Sequence, residues 1–325
     1  MLRFFIMLAV VLLFFFACFL FVKPIPTRDL ASKANPSLSY QESVKRIHNL
    51  RAIDGVDVAP DGHLIFLTHG EKIQNVIVFF HGITNSPRQF EELGKIFYKK
   101  GYNVLIPRLP HHGLKDRMTE DHAKLNALEL TKLCDESVDI AQGLGKHVTA
   151  VGLSMGANMA GWVAQNRSDV DKAVIIAPFL GWKGLPTFLF KPSINLLSVL
   201  PNMFRWWNSK EKTALAGPTS AYFRFSTKDS AEIMRLGWLV MKEAQSSAPK
   251  TQDIVVVTNE LDDVVDEKNI DKVIEAWQKY SGVKIIHFQF DKNLGVLHDI
   301  IDPEQPYENT ARIYPKLVEL IERLR

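Results

Sequence analysis

The chain has 325 residues, of which 46% are hydrophobic and 23% charged, and its formal net charge is +3 at pH 7. This length is sufficient for one large core, and the composition is ordinary for a globular protein. Lys and Arg are interspersed with Asp and Glu, so no basic tract predicts nucleic-acid binding. The two cysteines, Cys18 and Cys134, predict no disulfide framework.

The first 22 residues are almost entirely apolar. Phe4 to Val22 contains no charged residue, and as a helix this segment would span about 28 Å, close to the thickness of a hydrocarbon core. We predict that residues 1–22 form an uncleaved, single-pass membrane anchor. A cleaved signal segment, with the rest of the chain secreted, is the alternative, although signals usually have a shorter apolar core. The flanking charges specify orientation poorly, and we weakly favour a domain outside the cytoplasm.

Residues 23–54 predict a linker and a short helix. The linker is rich in proline and polar residues, and Ser39 followed by Glu42 is a capping-box pattern at the start of the helix. From residue 55 to the end at 325, strand and helix patterns alternate, which predicts an α/β fold with a mainly parallel central sheet flanked by helices. The predicted strands are 63–68, 75–80, 102–106, 147–153, 172–177, 253–258 and 283–290, and the predicted helices are 88–100, 120–143, 157–165, 264–279 and 307–324.

One region, from about residue 179 to 250, interrupts this alternation. It lacks a buried strand pattern and is rich in Trp and Phe, with Pro and Gly between them. We predict a helical cap insertion over the carboxyl edge of the sheet, where ligands bind in open α/β folds. Most of these aromatic side chains are expected to pack the insertion onto the sheet, and the remainder to line an apolar substrate pocket.

Ser154 is the candidate nucleophile. It lies in Gly152-Leu153-Ser154-Met155-Gly156, between a predicted buried strand and a predicted helix. A sharp strand-to-helix turn raises the serine to the edge of the sheet, and small residues at 152 and 156 allow the close packing that such a turn needs. The amino end of the helix supplies free N–H groups that suit an oxyanion.

A serine nucleophile needs a base, and the base needs an orienting carboxylate. Of the ten histidines, His298 lies after the last predicted strand, at the same sheet edge as Ser154, and is the predicted base. Asp262 follows the strand 253–258 and is the predicted acid. Asp263 is its competitor, while Asp266 is better explained as a helix-start charge. The order nucleophile, acid, base is that of the α/β-hydrolase arrangement.

The loop after strand 75–80 is the predicted second part of an oxyanion hole. It reads His81-Gly82-Ile83-Thr84, and the backbone N–H of Ile83 would pair with that of Met155 on the developing oxyanion. We interpret His81 as a residue that organises this loop. The pair His111-His112 lacks a matching third ligand cluster, so we predict no metal site.

These motifs as a set resemble the α/β-hydrolase superfamily, and are most similar to its branch of bacterial carboxylesterases and monoacylglycerol lipases. The resemblance spans roughly residues 60–325. It rests on FFHGITNSPRQFEELGKIFYKKGYNVLIPRLPHHG, on GLSMGA, and on a late Asp and HDI. It implies Ser154, Asp262 and His298 as a triad, Ile83 and Met155 as backbone donors, and a cap near 179–250. Asn259 departs from the pattern, since a glycine is common there, which leaves the choice between Asp262 and Asp263 open.

The sequence therefore predicts a serine hydrolase that cleaves carboxylic esters with an apolar acyl chain, without a cofactor. The predicted partners are a small ester substrate and, through the N-terminal segment, a membrane. A serine peptidase, an amidase or a thioesterase could use the same triad. The further alternative is a membrane-tethered binding module that keeps the fold without the chemistry.

Overall fold

A seven-stranded sheet forms the centre of the computed structural model, which describes residues 1–323. Its order is β1-β3-β2-β4-β5-β8-β9, and all neighbours are parallel except β1, which pairs antiparallel with β3. The predicted α/β fold with a mainly parallel sheet is confirmed. The strands are β1 (Ile65–Leu67), β2 (Ile73–Phe80), β3 (Tyr102–Ile106), β4 (Gly145–Leu153), β5 (Lys172–Ile176), β8 (Asp253–Asn259) and β9 (Lys284–Phe290), with β6 (Phe204–Trp206) and β7 (Arg224–Ser226) outside the sheet.

Helices flank this sheet, and the two faces of its central strands are buried. Continuous apolar runs such as that of β2 are typical of strands covered on both sides. The helices are α1 (Leu2–Val22), α2 (Tyr40–Ala52), α3 (Glu91–Lys99), α4 (Ala127–Leu144), α5 (Met155–Asn166), α6 (Phe190–Val199), α7 (Thr227–Ser246), α8 (Glu267–Gln278) and α9 (Thr310–Glu322).

Helix starts differ from the predicted ones where a capping residue decides. Helix α4 begins at Ala127 and not at 120, because Asn126 and Glu129 form a capping box. Helix α3 is preceded by a 3-10 turn, Pro87–Phe90, capped by the Ser86 hydroxyl. The strand ends, which polar turns specify, agree with the predictions within about two residues.

The insertion predicted as one helical cap over 179–250 divides into two parts. Residues 179–226 contain helix α6 and an antiparallel ribbon of β6 and β7, which the sequence pattern does not predict. Helix α7 instead packs beside α5, where Asn158 Nδ2 donates to Ile233 O at 3.1 Å and Val240 lies against Gly161. The cap is therefore residues 179–226, and α7 belongs to the helical layer.

The segment 23–38, predicted to be a linker, is packed onto the domain. Leu30 is buried, and its carbonyl accepts a hydrogen bond from Trp162 Nε1 at 2.9 Å. Ser32 Oγ donates to Asp135 at 2.6 Å, and Asn35 N donates to Asp139 at 2.9 Å. Polar composition alone does not reveal these carboxylate acceptors, which lie about a hundred residues away in sequence.

Helix α1 protrudes from this domain. Its segment Arg3–Val22 has a mean hydropathy of 3.2, and 6% of its most apolar window is buried. This helix is long and apolar enough to cross a membrane, and a signal sequence has the same properties.

Candidate active site

Ser154 occupies a strained turn between β4 and α5. Its φ is 58° and its ψ is −112°, an unusual conformation for a residue with a side chain. Its N–H donates to Ile176 O on β5 at 2.9 Å, and its carbonyl accepts from Ala157 N at 3.1 Å. These hydrogen bonds to neighbouring elements hold the turn in place at the carboxyl edge of the sheet.

The two glycines of the motif are needed for close backbone packing. A Cβ at Gly152 would lie 1.9 Å from Gly156 O, and a Cβ at Gly156 would lie 1.9 Å from Phe80 O. Such distances are far below van der Waals contact, so any side chain at either position would force the backbone apart. The motif therefore packs the start of α5 directly against the ends of β2 and β4.

His298 and Asp262 form a hydrogen-bonded pair at the same edge. His298 Nδ1 lies 2.7 Å from Asp262 Oδ2. The other carboxylate oxygen of Asp262 accepts from the N–H groups of Val264 and Val265, at 2.9 and 3.0 Å. Since the carboxylate accepts, the proton of the neutral His298 ring lies on Nδ1, and Nε2 then carries a lone pair. No acceptor or donor among residues 1–323 contacts this buried Nε2.

The two aspartates that the sequence could not separate occupy different environments. Asp262 is buried, whereas Asp263 is exposed and lines the cavity described below. The His298 hydrogen bond goes to Asp262. The carbonyl of Asp262 also accepts from Lys183 Nζ, which ties its loop to the start of the cap.

Charge and burial act in opposite directions on the pair. Burial alone would raise the pKa of Asp262. The charge of a protonated His298, together with the hydrogen bonds that His298, Val264 and Val265 donate to the carboxylate, lowers that pKa below its ordinary value. Burial would lower the pKa of His298, but the neighbouring Asp262 carboxylate outweighs it and raises that pKa. The imidazole is thus a stronger base than an isolated histidine.

The loop after β2 and the first residue of α5 each place one backbone donor near Ser154. Neither the N–H of Ile83 nor that of Met155 donates a hydrogen bond to an acceptor within residues 1–323. The loop is held by the buried Gln89, whose Oε1 accepts from Gly82 N at 2.7 Å. Gln89 Nε2 donates to Asp299 at 2.9 Å, which connects this loop to the residue after His298.

His81 fastens the same loop to its neighbour. Its Nε2 accepts from Leu109 N at 3.2 Å, so Nδ1 carries the proton and donates to Gly82 O at 2.9 Å. Burial lowers the pKa of His81 to about 3, which keeps the ring neutral. This geometry agrees with an organising residue, since both ring nitrogens are engaged by backbone groups.

A cavity of about 410 Å³ opens above these groups. Ser154, His298 and Ile83 line it together, and the cap contributes Trp207 and Tyr222. Trp207 Nε1 donates to Thr84 Oγ1 at 2.9 Å, and Tyr222 N donates to Thr84 O at 2.7 Å. The cap therefore closes over the cavity by binding the same loop that carries Ile83.

Three further histidines, of which two are buried, each have a different partner. His111 Nδ1 pairs with Asp121 at 2.7 Å, His112 Nδ1 donates to Pro110 O at 2.7 Å, and His122 Nδ1 donates to Asp229 at 2.6 Å. Across residues 1–323 no group of three His, Cys, Asp or Glu side chains has a geometry that could hold a metal ion.

The sequence profile of the alpha/beta hydrolase family matches residues 77–292, about two thirds of the chain. This chain belongs to the alpha/beta hydrolase family. The resemblance predicted from the motifs is confirmed. The matched residues of this hydrolase include Ser154 and Asp262, and the match ends six residues before His298.

Among curated relatives, this alpha/beta hydrolase is similar to a thermostable monoacylglycerol lipase from Bacillus sp. (strain H-257). The two are 28% identical over 129 residues, which is 35% of this chain and 48% of the lipase. The chain thus matches about half the length of that relative.

Solved structures share the fold over most of the chain. One solved structure comes from work on LipS and LipT, two metagenome-derived lipolytic enzymes. It is 16% identical to this chain, the match covers 82% of this chain and 100% of the solved chain, and the TM-score is 0.59. The monoacylglycerol lipase of Paleococcus ferrophilus is 17% identical, with coverages of 81% and 99% and a TM-score of 0.57. A soluble variant of the Saccharomyces cerevisiae monoglyceride lipase is 13% identical, with coverages of 80% and 91% and a TM-score of 0.61.

Two residues that hold this site together escape the sequence analysis. Asn259 Nδ2 donates to Val296 O at 2.8 Å and to Leu297 O at 2.7 Å, which joins the Asp262 loop to the His298 loop. Gln89 joins the Ile83 loop to Asp299. The only sequence signal for Asn259 was its departure from the expected glycine, and Gln89 gave none.

Proposed function

We propose that this protein is a serine hydrolase that cleaves carboxylic esters, with Ser154 as nucleophile, His298 as base and Asp262 as orienting acid. One observation carries the proposal. The strained Ser154 shares a cavity wall with His298, whose Nδ1 is bound to Asp262 and whose Nε2 is left without a partner among the described residues. Such a nitrogen is suited to take the serine proton.

The reaction follows from these positions. His298 Nε2 takes the proton of Ser154 Oγ, which attacks the ester carbonyl carbon. The carbonyl oxygen becomes negative, and the N–H groups of Ile83 and Met155 bind it. When the tetrahedral species collapses, the C–O bond to the alcohol breaks and the leaving oxygen takes the proton from His298. Water, deprotonated by the same Nε2, then attacks the acyl-enzyme. As the bond between the acyl carbon and Ser154 Oγ breaks, Oγ takes the proton back from His298 and the acid is released.

The lining of the cavity supports a substrate with an apolar acyl chain. Several apolar side chains line the cavity together with Ser154, namely Ile83, Leu153, Trp207, Leu215, Val264 and Pro306. The volume of about 410 Å³ fits a small ester, since ligand pockets commonly measure roughly 300–1,000 Å³. The fold-level likeness to lipolytic enzymes is consistent with this class.

We further propose that α1 anchors the enzyme in a membrane. The support is its length, its mean hydropathy of 3.2 and its small buried fraction of 6%. Cleavage of the segment as a signal would instead yield a secreted enzyme. The mass of the mature protein distinguishes the two outcomes, because an anchored protein keeps α1 and a secreted protein lacks it. An anchored hydrolase would meet esters that partition into lipid.

Hydrolysis of p-nitrophenyl esters across acyl lengths tests the activity. We expect turnover by the wild type, and Ser154→Ala to reduce kcat/KM by on the order of 10⁴-fold or more. Thr149→Ala, on the strand that leads to Ser154, is a control that leaves the reactive groups in place. Unchanged activity in Ser154→Ala would refute the proposed nucleophile.

Matched ester, thioester and aminoacyl substrates separate the alternatives on the same triad. Faster thioester or amide cleavage would make the protein a thioesterase or a peptidase. A fluorophosphonate probe that fails to label Ser154 in the folded protein would favour the non-catalytic binding module.

A further inference from the structure

The cap exposes several apolar side chains to solvent. Phe188, Val199, Leu200 and Met203 lie on α6 or in the turns beside it, and they are between 37% and 68% exposed. The cap face is defined here as these four residues with Lys191, Arg205 and Lys228. Large apolar side chains that cluster at one surface usually mark a contact with a protein or a lipid.

Positive charge is concentrated in the same part of the chain. Residues 179–228 contain seven Lys and Arg but one acidic residue, Glu211, whereas the other 275 residues contain 32 Lys and Arg and 35 Asp and Glu. The positive excess of the protein therefore resides in this segment. Lys228 Nζ donates to Ser198 O at 2.6 Å, beside Val199, and Arg205 is exposed next to the Met203 turn.

The cap face adjoins the end of the apolar helix α1. Asn195 Nδ2 donates to Leu20 O at 2.7 Å and to Lys23 O at 3.0 Å, and Lys191 Nζ donates to Phe21 O at 2.8 Å. The last turn of α1 is thus bound directly to α6. When α1 lies in a bilayer, this contact holds α6 at the level where hydrocarbon meets water.

We propose that the cap face docks on the surface of an anionic lipid bilayer. Surfaces that bind such a bilayer combine apolar side chains with neighbouring Lys and Arg. The apolar side chains enter among the acyl chains, and the Lys and Arg contact the anionic headgroups. A nucleic acid would use the charges but would leave Phe188 and Leu200 exposed. The proposal rests on the proposed membrane insertion of α1.

Environment-sensitive probes on the full-length chain test this docking. In a Cys18→Ser background, with Cys134 buried, single cysteines at Phe188, Val56 and Val10 are labelled with a nitrobenzoxadiazole dye. The proteins are reconstituted in nanodiscs of phosphatidylcholine alone or with phosphatidylglycerol. Val56 is a matched apolar control, since it is 85% exposed and lies outside the cap, and Val10 reports on α1.

We expect the probe at 188 to shift to shorter wavelength and to be quenched by doxyl lipids in the anionic discs, and the probe at 56 to stay unchanged. Arg205→Glu with Lys228→Glu should lower the docked-to-undocked ratio by at least about tenfold, since each basic residue near an anionic surface contributes roughly fivefold to binding. Circular dichroism and the unfolding midpoint check that each variant is folded.

A probe at 188 that behaves like the probe at 56 in anionic discs overturns the proposal. If the probe at 10 is then quenched, the anchor stands and the docking is wrong. Quenching at 188 without quenching at 10 supports the docking and refutes the anchor. An equal response at 188 to a soluble oligonucleotide overturns it in favour of a nucleic-acid surface. No outcome depends on ester hydrolysis, so the proposed activity is tested separately.

Discussion

Two histidine–aspartate pairs in this protein have nearly the same geometry. His298 Nδ1 lies 2.7 Å from Asp262 at the sheet edge, and His122 Nδ1 lies 2.6 Å from Asp229 beneath the cap. In both pairs Nε2 is buried and has no partner among residues 1–323. His298, however, borders the cavity with Ser154, whereas His122 is fully buried between the rings of Phe204 and Tyr222.

A hydrogen-bonded histidine–aspartate pair does not by itself define a catalytic site. A hydrogen-bonded imidazole becomes a base only where its free nitrogen meets a reacting group. Asp229 also caps helix α7, since its carboxylate accepts from Ser226 N at 3.1 Å and from Ser230 Oγ at 3.2 Å. The His122 pair therefore joins the 3-10 turn Asp121–Lys124 to α7, and we expect it to stabilise the fold.

Replacing each histidine by alanine is the strongest test of this contrast. His298→Ala should lower kcat/KM for a p-nitrophenyl ester by on the order of 10⁴–10⁶-fold, because no other group takes the serine proton. His122→Ala, assayed below its unfolding transition, should stay within about threefold of the wild type. Equal losses of kcat/KM in the two variants would mean that the position of His298 at the cavity does not set it apart from His122.

Replacing the aspartates sharpens the contrast through pH. Asp262→Asn should lower kcat on the order of 10⁴-fold because it disturbs the imidazole tautomer. It also removes the main cause that raises the pKa of His298. The base must be neutral to act, so the acid limb of the kcat/KM profile should move to lower pH. Asp263→Asn is the matched control and should leave that limb close to its wild-type position.

Loss of the buried His122 should lower stability far more than loss of an exposed histidine. His122→Ala leaves the buried Asp229 carboxylate without its main partner, so the free energy of unfolding should fall by about 3–5 kcal/mol. Burial already raises the pKa of Asp229, although the hydrogen bonds that its carboxylate accepts act to lower it. His147→Ala, at an exposed position, should change the value by less than about 0.5 kcal/mol. Urea unfolding measures both, and similar small changes would contradict a structural role for the pair.

The smallest effect is expected from the residue that joins the two loops of the His298 pair. Asn259→Ala removes the hydrogen bonds to Val296 O and Leu297 O. Misplacement of His298 should lower kcat about tenfold with little change in KM, since the substrate contacts remain. Steady-state kinetics of Asn293→Ala, an exposed asparagine, provide the control. A higher KM with an unchanged kcat would show that Asn259 acts on substrate binding.

The sequence by itself determined the elements whose signals are local. Continuous apolar strands and the two glycines around Ser154 each follow from interactions within a few residues, and they predicted the sheet and the turn. They also predicted that Ser154, His298 and an acid loop lie at one edge, because the carboxyl ends of parallel strands share an edge.

Tertiary structure alone decided which distant groups meet. Asp262 and Asp263 are adjacent in sequence, and only the folded loop shows that one is buried against His298 and the other exposed. The same holds for the packed segment 23–38, for the ribbon of β6 and β7, and for His122 with Asp229, which are 107 residues apart. Burial and hydrogen-bond partners depend on the whole chain, so no local pattern records them.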